Sequence, residues 1–277
     1  MKQINLIIGC GYLGRSLLGL LRGERNYVVN RSGQHNPVNA ADDNHQLIFN
    51  INDKHAWHNL DALADKSSIR LYFMVPPRQI DDTIFADFIK RLNQLDIKRS
   101  ILVSSTVVYG NIDRIVDADS LVKIDSERAE RQFQVEQDWL ENMKAGNVIR
   151  LAGIYGPDRI IGCRGIINNE PINGDPDGWL NLIHVDDAAQ LIKTISEIEQ
   201  PERIELGCDG KPIKRRDYYS YLAEQLNQTQ PLFSLGSDAR GTGRRCDNSI
   251  TMSRSGWQPL HVDFRKAVSK LIKQSGN

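Results

Sequence analysis

The sequence predicts an α/β fold, a doubly wound parallel sheet followed by a small C-terminal α/β region, and three observations predict it. Short β-branched apolar runs alternate with segments of helical periodicity through the first half of the chain, and that alternation builds parallel sheets. The first run is closed by glycines, with a helical pattern directly after them. A stretch dense in glycine and proline then separates this half from a smaller ordered remainder.

Ile4 to Ile8 reads as a strand buried on both faces, because its apolar character is continuous rather than alternating. It ends at Gly9. From Tyr12 onward, Leu13, Leu17, Leu18 and Leu21 recur at helical spacing up to Gly23, and Tyr27 to Val29 opens the next strand, completing one βαβ unit. Gln46 to Phe49, Ile69 to Val75, Ser100 to Ser104 and Val148 to Leu151 read as further strands, with helical patterning near 54–64, 79–95 and 126–144. From Gly156-Pro157 through Gly162, Gly165, Pro171, Gly174, Pro176 and Gly178, the breakers predict a surface loop region over a site. Order returns at Leu180 to His184, followed by a helix that Asp186 is placed to cap and that carries Ala188, Ala189, Leu191, Ile192, Ile195 and Ile198. The segment 201–277 holds a strand at Ile204 to Leu206 and helices near 216–227 and 262–273. The expected division is a first domain over 1–157, to which 180–200 returns, and a smaller region made of 158–179 and 201–277.

Lys plus Arg and Asp plus Glu both number 35, so no net field exists to hold a polyanion, and no nucleic-acid partner is expected. Cys10, Cys163, Cys208 and Cys246 are scattered, with no pair or Cys/His cluster at zinc spacing, so neither a disulfide framework nor a metal is expected. His55 and His58 have a spacing compatible with metal ligation on a helix, but no further ligand accompanies them. The N-terminal apolar run is far shorter than the roughly 20 residues of a membrane span. The expectation is a cytoplasmic protein with no membrane partner.

Gly9-Cys10-Gly11-Tyr12-Leu13-Gly14 is G-x-G-x-x-G, lying after a predicted strand and opening a predicted helix. Gly9 would permit the tight turn, Gly11 would let the backbone approach a pyrophosphate at the positive end of the helix dipole, and Gly14 would let helix and strand pack closely. Such a turn implies a Rossmann-type domain binding a dinucleotide. The alternative is a glycine-rich turn that holds another group, such as the adenosyl part of a methyl donor, or nothing. After the second strand stand Asn30-Arg31-Ser32 instead of the acidic residue that accepts from an NAD ribose. Arg31 can pair with a 2′-phosphate and Ser32 can donate to it, so NADP is favoured over NAD, unless Arg31 is simply a solvated surface residue. Asn50-Ile51 and Val75-Pro76 follow the third and fourth strands, where adenine and ribose contacts are expected. The loop from Gly162 to Trp179 is expected to shape a pocket for a small-molecule substrate.

Three later segments, taken with this turn, resemble the extended short-chain dehydrogenase/reductase family, the sugar-nucleotide epimerases and dehydratases. They are Val103-Ser104-Ser105-Thr106-Val107-Val108-Tyr109-Gly110, Arg150-Leu151-Ala152-Gly153-Ile154-Tyr155-Gly156-Pro157 and Asn181-Leu182-Ile183-His184-Val185-Asp186-Asp187-Ala188. Arg245-Cys246-Asp247-Asn248-Ser249 and Gly256-Trp257 resemble the end of that family's smaller domain. The resemblance implies an NAD(P) cofactor, Ser104 among its contacts and Ser105 as the catalytic hydroxyl, able to hydrogen-bond a reacting carbonyl or alcohol. The alternative is that Ser104, Ser105 and Thr106 only satisfy backbone groups at the strand end.

The family's acid/base tyrosine and its lysine lie four residues apart. Glu136 matches the glutamate eight residues after that tyrosine, which puts Arg128 at the tyrosine position and Gln132 at the lysine position. A guanidinium with a pKa above about 12 and a carboxamide cannot exchange protons at neutral pH, so the ordinary dyad is absent. The departure resembles an atypical branch of bacterial proteins of this length. Arg128 there either clamps a carboxylate or phosphate or belongs to a solvated helix face. Tyr109 and Tyr155 are candidate substitute acids, with packed aromatics whose hydroxyls are satisfied as the alternative, and His184 is expected to be structural beside the helix cap. Three readings remain open at this point: an oxidoreductase or epimerase/dehydratase-like enzyme on a polar, sugar-nucleotide-like substrate, a non-catalytic NADP(H) sensor, and a protein that keeps the architecture but binds neither cofactor.

Overall fold

The structure is a computed structural model and describes residues 3–31, 43–66, 68–234 and 243–275. Two compact units make up the chain: Met1–Ser105, Glu130–Arg150 and Ala189–Glu205 in the first, and Thr106–Ala129, Leu151–Ala188 and Leu206–Asn277 in the second. In this division 106–129, 151–157 and 180–188 group with the second unit, because their strands pair there. Ile115–Val116 pairs with Arg245–Cys246, and Gly153–Tyr155 pairs with Leu182–His184.

The first unit is built on a sheet of seven parallel strands: β1 (Ile4–Ile8), β2 (Arg25–Asn30), β3 (Asn44–Ile48), β4 (Ile69–Phe73), β5 (Ile97–Ser105), β6 (Gly146–Leu151) and β7 (Ile204–Gly207). Their spatial order is β7-β6-β5-β4-β1-β2-β3, so the order reverses at β1 and β4. Helices α1 (Tyr12–Leu20), α2 (Asp82–Leu92) and α3 (Glu127–Asn142) connect strands. All five residues of β1 are buried, as a central strand covered on both faces requires. Leu6, Ile69, Leu71 and Phe73 pack into one core with Phe85, Phe88 and Trp139. Across the amino-terminal side of the sheet, Asn26 accepts from Asn5 at 2.9 Å and donates to Asn44 at 2.8 Å, joining three strands through in-register carboxamides.

Residues 54–64 differ from the expected helix: Lys54–Leu63 forms a 3₁₀ helix. His58 Nδ1 lies 2.7 Å from the His55 carbonyl and Asn59 Nδ2 donates to that of Ala56 at 2.7 Å, so side chains compete for carbonyls that an α-helix would engage one residue later.

The second unit has a separate core, in which Tyr155, Ile166, Leu182, Tyr218, Leu222, Phe264 and Val268 pack under the helices Arg215–Gln225 and Phe264–Ser275. The stretch from 156 to 178 is not loop throughout. It contains a helix, Cys163–Ile167, and a strand, Ile172–Asn173, paired with Phe233–Ser234. The helix after His184 begins at Val185, so Asp186 sits in its first turn and does not cap it. The cap acceptor is His184, whose Nδ1 takes the Asp186 N–H at 3.3 Å. Among the described residues no helix is long and apolar enough to cross a membrane.

Candidate nucleotide-binding site

The turn after β1 is set by three glycines with three different constraints. Gly9 has φ +90°, and a Cβ there would stand 2.9 Å from the backbone of Met74 and Val75, so only glycine lets β1 leave the sheet so close to β4. At Gly14 a Cβ would meet Cys10 Sγ, the Gly9 carbonyl and Met74 Cε, each at 3.3 Å, which marks tight packing of α1 on the turn. Gly11 is the opposite case. Nothing lies within 4 Å of where its Cβ would be, so its missing side chain leaves open space outside the protein rather than room inside it. Gly11 is also the N-cap of α1, and no side chain caps that end. The first turn carries no acidic residue, so its positive dipole end has no competing carboxylate on the helix. The Cys10 thiol is pushed up to about 11, chiefly by burial, and stays uncharged beside it. Leu13 is buried and anchors the helix, while Tyr12 is half-buried.

The sheet brings the other cofactor candidates of the first unit to the same edge. The Gly9 N–H donates to Val29 at 3.1 Å, the Met74 N–H to Ile8 at 2.8 Å and the Phe49 N–H to Asn30 at 3.1 Å, so the carboxyl ends of β1 to β4 stand side by side. Asn30, half-buried at the end of β2, carries a buried Nδ2 with no hydrogen-bond partner. Arg31 is exposed beyond it, and Ser32 lies outside the described residues. Asn50 is exposed, its side chain accepting from the Asn52 N–H at 3.1 Å, while Ile51 is buried and its carbonyl accepts from Trp57 at 2.8 Å. Val75 is buried and Pro76 exposed, both beyond the end of β4.

At the end of β5, Ser104 is buried and donates its hydroxyl to Glu136, so the side chain proposed to touch a cofactor is engaged inside the unit. Glu136 is fully buried and accepts a bidentate grip from Arg150, with Nη2 at 2.7 Å and Nε at 3.1 Å from Oε2. Ser105 follows, half-buried. Ser100 Oγ donates to Lys144 and Ala145 near the far end of α3, so α3 runs antiparallel to β5. Gln132 lies one turn before Glu136 on the same face of α3, about 6 Å further along the helix in the direction of the carboxyl end of β5. It is buried, and its Nε2 has no partner.

The remaining candidates belong to the second unit. Arg128 is exposed and near enough to Arg244 to disfavour its charge, although burial is the larger cause of Arg244's lowered pKa. Tyr109 is buried and its hydroxyl donates to the Asp117 carbonyl at 2.7 Å, as expected of a packed aromatic. Tyr155 departs from that expectation. It is fully buried with no partner for its hydroxyl, and burial drives its pKa well above the usual range. His184 stacks on His261 at 3.8 Å, and its pKa is lowered by burial and then by that neighbour. Sequence reasoning missed Asp187, which is buried and accepts from the N–H groups of Leu260 and His261 at 2.9 Å each and fixes the turn after Trp257. Trp179 lies under Lys214 Nζ at 4.0 Å, a packing contact within the unit. Among the described residues no group of three or more His, Cys, Asp and Glu side chains is placed to hold a metal.

No protein-family model matches the chain, and no curated protein matches it. Solved structures do. UDP-glucose 4-epimerase of Thermotoga maritima, solved with UDP-glucose, superposes with a TM-score of 0.80 at 15% identity, over 99% of this chain and 100% of that one. The fold is shared. The dTDP-glucose 4,6-dehydratase of Bacillus anthracis, solved with NAD, gives 0.80 at 14% identity over 99% and 97%. A protein of Methylobacillus flagellatus named for the NAD-dependent epimerase/dehydratase family gives 0.78 at 22% identity over 100% and 99%. The seven-stranded parallel sheet thus matches the Rossmann-like fold of these neighbours.

Proposed function

We propose that this chain binds a nicotinamide dinucleotide, NADP in preference to NAD, and is an atypical extended short-chain dehydrogenase/reductase. In this reading it is an oxidoreductase or epimerase/dehydratase-like enzyme for a polar, sugar-nucleotide-like substrate. The observation that carries the reading is the open space over Gly11 at an uncapped helix N-terminus. There a pyrophosphate would meet backbone N–H groups with no Cβ in the way. The fit extends along the sheet edge, where Asn30 and Gln132 have buried amide nitrogens that lack partners and a ligand's hydroxyls or carbonyls would satisfy them. The neighbours that bind NAD and sugar nucleotides on this fold support the class of cofactor and substrate. Preference for NADP rests on Arg31, exposed after β2 where a 2′-phosphate would otherwise face an acid.

When bound, the nicotinamide supplies hydride transfer, and the chain supplies binding and orientation. Gly9, Gly11, Tyr12, Leu13 and Gly14 would hold the pyrophosphate, Asn30, Arg31 and Ser32 the adenosine ribose, and Asn50, Ile51, Val75 and Pro76 the adenine side. Ser105 would hydrogen-bond the reacting oxygen, while Arg128, with Arg244 within electrostatic reach, favours an acidic group on the substrate. The second reading, a non-catalytic NADP(H) sensor, is favoured by the identity of residues 128 and 132, neither of which exchanges protons.

The test is thermal melting with NADP⁺, NADPH, NAD⁺ and NADH. Stabilisation by the phosphorylated pair that disappears in Arg31→Asp supports the cofactor assignment, and no shift with any of the four sinks it. A sensor separates oxidised from reduced cofactor and turns over no candidate substrate; sustained turnover removes that reading.

A further inference from the structure

Arg150 and Arg215 are the two arginines buried in the described structure, at 2% and 5% exposure. The chain treats them differently. Arg150 has a carboxylate, Glu136, gripped through both Nε and Nη2. Arg215, the first residue of the helix Arg215–Gln225 in the second unit, has no ion pair among the described residues. Its Nη2 donates to the Asn173 carbonyl at 2.8 Å, its Cζ lies 5.3 Å from the centre of the Tyr219 ring, and its Nε is buried with no partner. The nearby carboxylate of Asp177 is taken by the next residue, Arg216, in an exposed pair.

The platform under the guanidinium is built closely. A Cβ at Gly162 would stand 2.3 Å from Tyr219 Cε1, so only glycine there leaves room for the ring on which Arg215 rests. A guanidinium withdrawn from water with one carbonyl and one ring face has fewer hydrogen-bond partners than the water it gave up. An anion offered to the Nε edge supplies a partner, as Glu136 does for Arg150.

We propose that Arg215 is the receptor of an oxyanion site in the second unit, taking the carboxylate or phosphate of a small molecule onto its unpartnered Nε edge. The site lies in the second unit and rests on Arg215 and its neighbours there, not on dinucleotide binding. It gives the second unit a ligand chemistry of its own: a group with two oxygens in one plane, presented to a fork.

The test uses the full-length protein without dinucleotide. Melting is followed in inorganic phosphate, pyrophosphate and succinate, each matched to sodium chloride at equal ionic strength, with wild type, Arg215→Met and Arg215→Lys. At least one oxyanion is expected to raise the wild-type melting temperature saturably, with a dissociation constant weakened about tenfold or more in Arg215→Lys and no response in Arg215→Met. Response to phosphates but not succinate assigns a phosphate ligand, and the reverse assigns a carboxylate. Equal responses in wild type and Arg215→Met, or no response in wild type to any of the three, would overturn the proposal. If Arg215→Met does not fold, titration calorimetry of wild type against Arg215→Lys with the same anions decides: equal affinities refute it. NADPH stabilisation, measured alongside, is expected to be the same in wild type and Arg215→Lys, which separates this site from the cofactor reading.

Discussion

Replacing Gly11 by alanine separates binding from folding. The added Cβ has nothing within 4 Å, so the fold itself is expected to lose about 1 kcal/mol or less. A pyrophosphate lying over the turn meets that Cβ directly. Losing one charge-assisted hydrogen bond from the backbone, at about 1.5–3 kcal/mol, weakens affinity by roughly 10- to 150-fold. At a concentration of 100 times its dissociation constant, NADPH stabilises the wild type by about 2.7 kcal/mol, about 5–10 °C in a chain of this size. A 100-fold weaker variant retains only about 0.4 kcal/mol at the same concentration. Gly9→Ala is the contrasting control. Its Cβ would press at 2.9 Å on backbone that cannot rotate away, at φ +90°, so the protein without ligand is expected to lose about 2 kcal/mol or more. Differential scanning fluorimetry of the three proteins, with and without NADPH, reads both effects. If Gly11→Ala keeps the full shift, no phosphate passes over Gly11 and the site has been misplaced.

Other residues give independent checks. Arg150→Met leaves Glu136 buried and uncompensated and is expected to cost about 3–5 kcal/mol in urea unfolding, most of it recovered when Glu136→Leu is added; a single variant as stable as wild type contradicts the buried pair. Burial raises the Asp209 carboxyl to about 7 in the folded state, against an ordinary value of 3.8. The fold therefore favours the protonated acid, and that contribution, present below about pH 4, is lost as the pH rises through 7, on the order of 4 kcal/mol in all. Asp209→Asn should remove this slope from stability measured between pH 5 and 8, and an unchanged slope places its origin elsewhere. Ser105→Ala is expected to abolish whatever turnover a substrate screen detects, and undiminished turnover would show that the hydroxyl plays no part.

The first unit was legible because its signals are local. Ile4–Ile8, the glycine turn and α1 are specified by about 20 consecutive residues, and a continuous apolar run states burial on both faces without reference to any partner. The 3₁₀ form of Lys54–Leu63 was hidden because apolar spacing reports a face and not the competition of His58 and Asn59 for carbonyls. The division into units was hidden for a different reason. Residues 106–129 join the second unit through a pairing of Ile115–Val116 with Arg245–Cys246, some 130 positions away, and no pattern within either segment announces the other. Asp187 belongs to the same class, since its acceptor role is visible only once Leu260 and His261 arrive above it. In the sequence Glu136 serves only to align the helix, and its work as the shared acceptor of Ser104 and Arg150 depends on α3 lying antiparallel to β5.

The residues at 128 and 132 lead to a prediction about protons. Arg128 and Gln132 cannot exchange one near neutrality, the Tyr109 hydroxyl is held by the Asp117 carbonyl, and burial puts the Tyr155 hydroxyl far from titration. The His184 pKa is lowered, so the ring is neutral through the same range. With none of these groups titrating there, kcat/KM is expected to be flat between about pH 7.5 and 9, with no limb from a tyrosine or lysine at these positions. Burial raises Asp209 to about 7, so a limb near 7 that vanishes in Asp209→Asn would be traced to that carboxyl. Installing the missing pair, Arg128→Tyr with Gln132→Lys, is expected to introduce a new ionisation into the profile. A tyrosine-like limb in the wild type that disappears in Tyr155→Phe would show instead that burial of Tyr155 is relieved when substrate binds, and that this chain moved its acid rather than lost it.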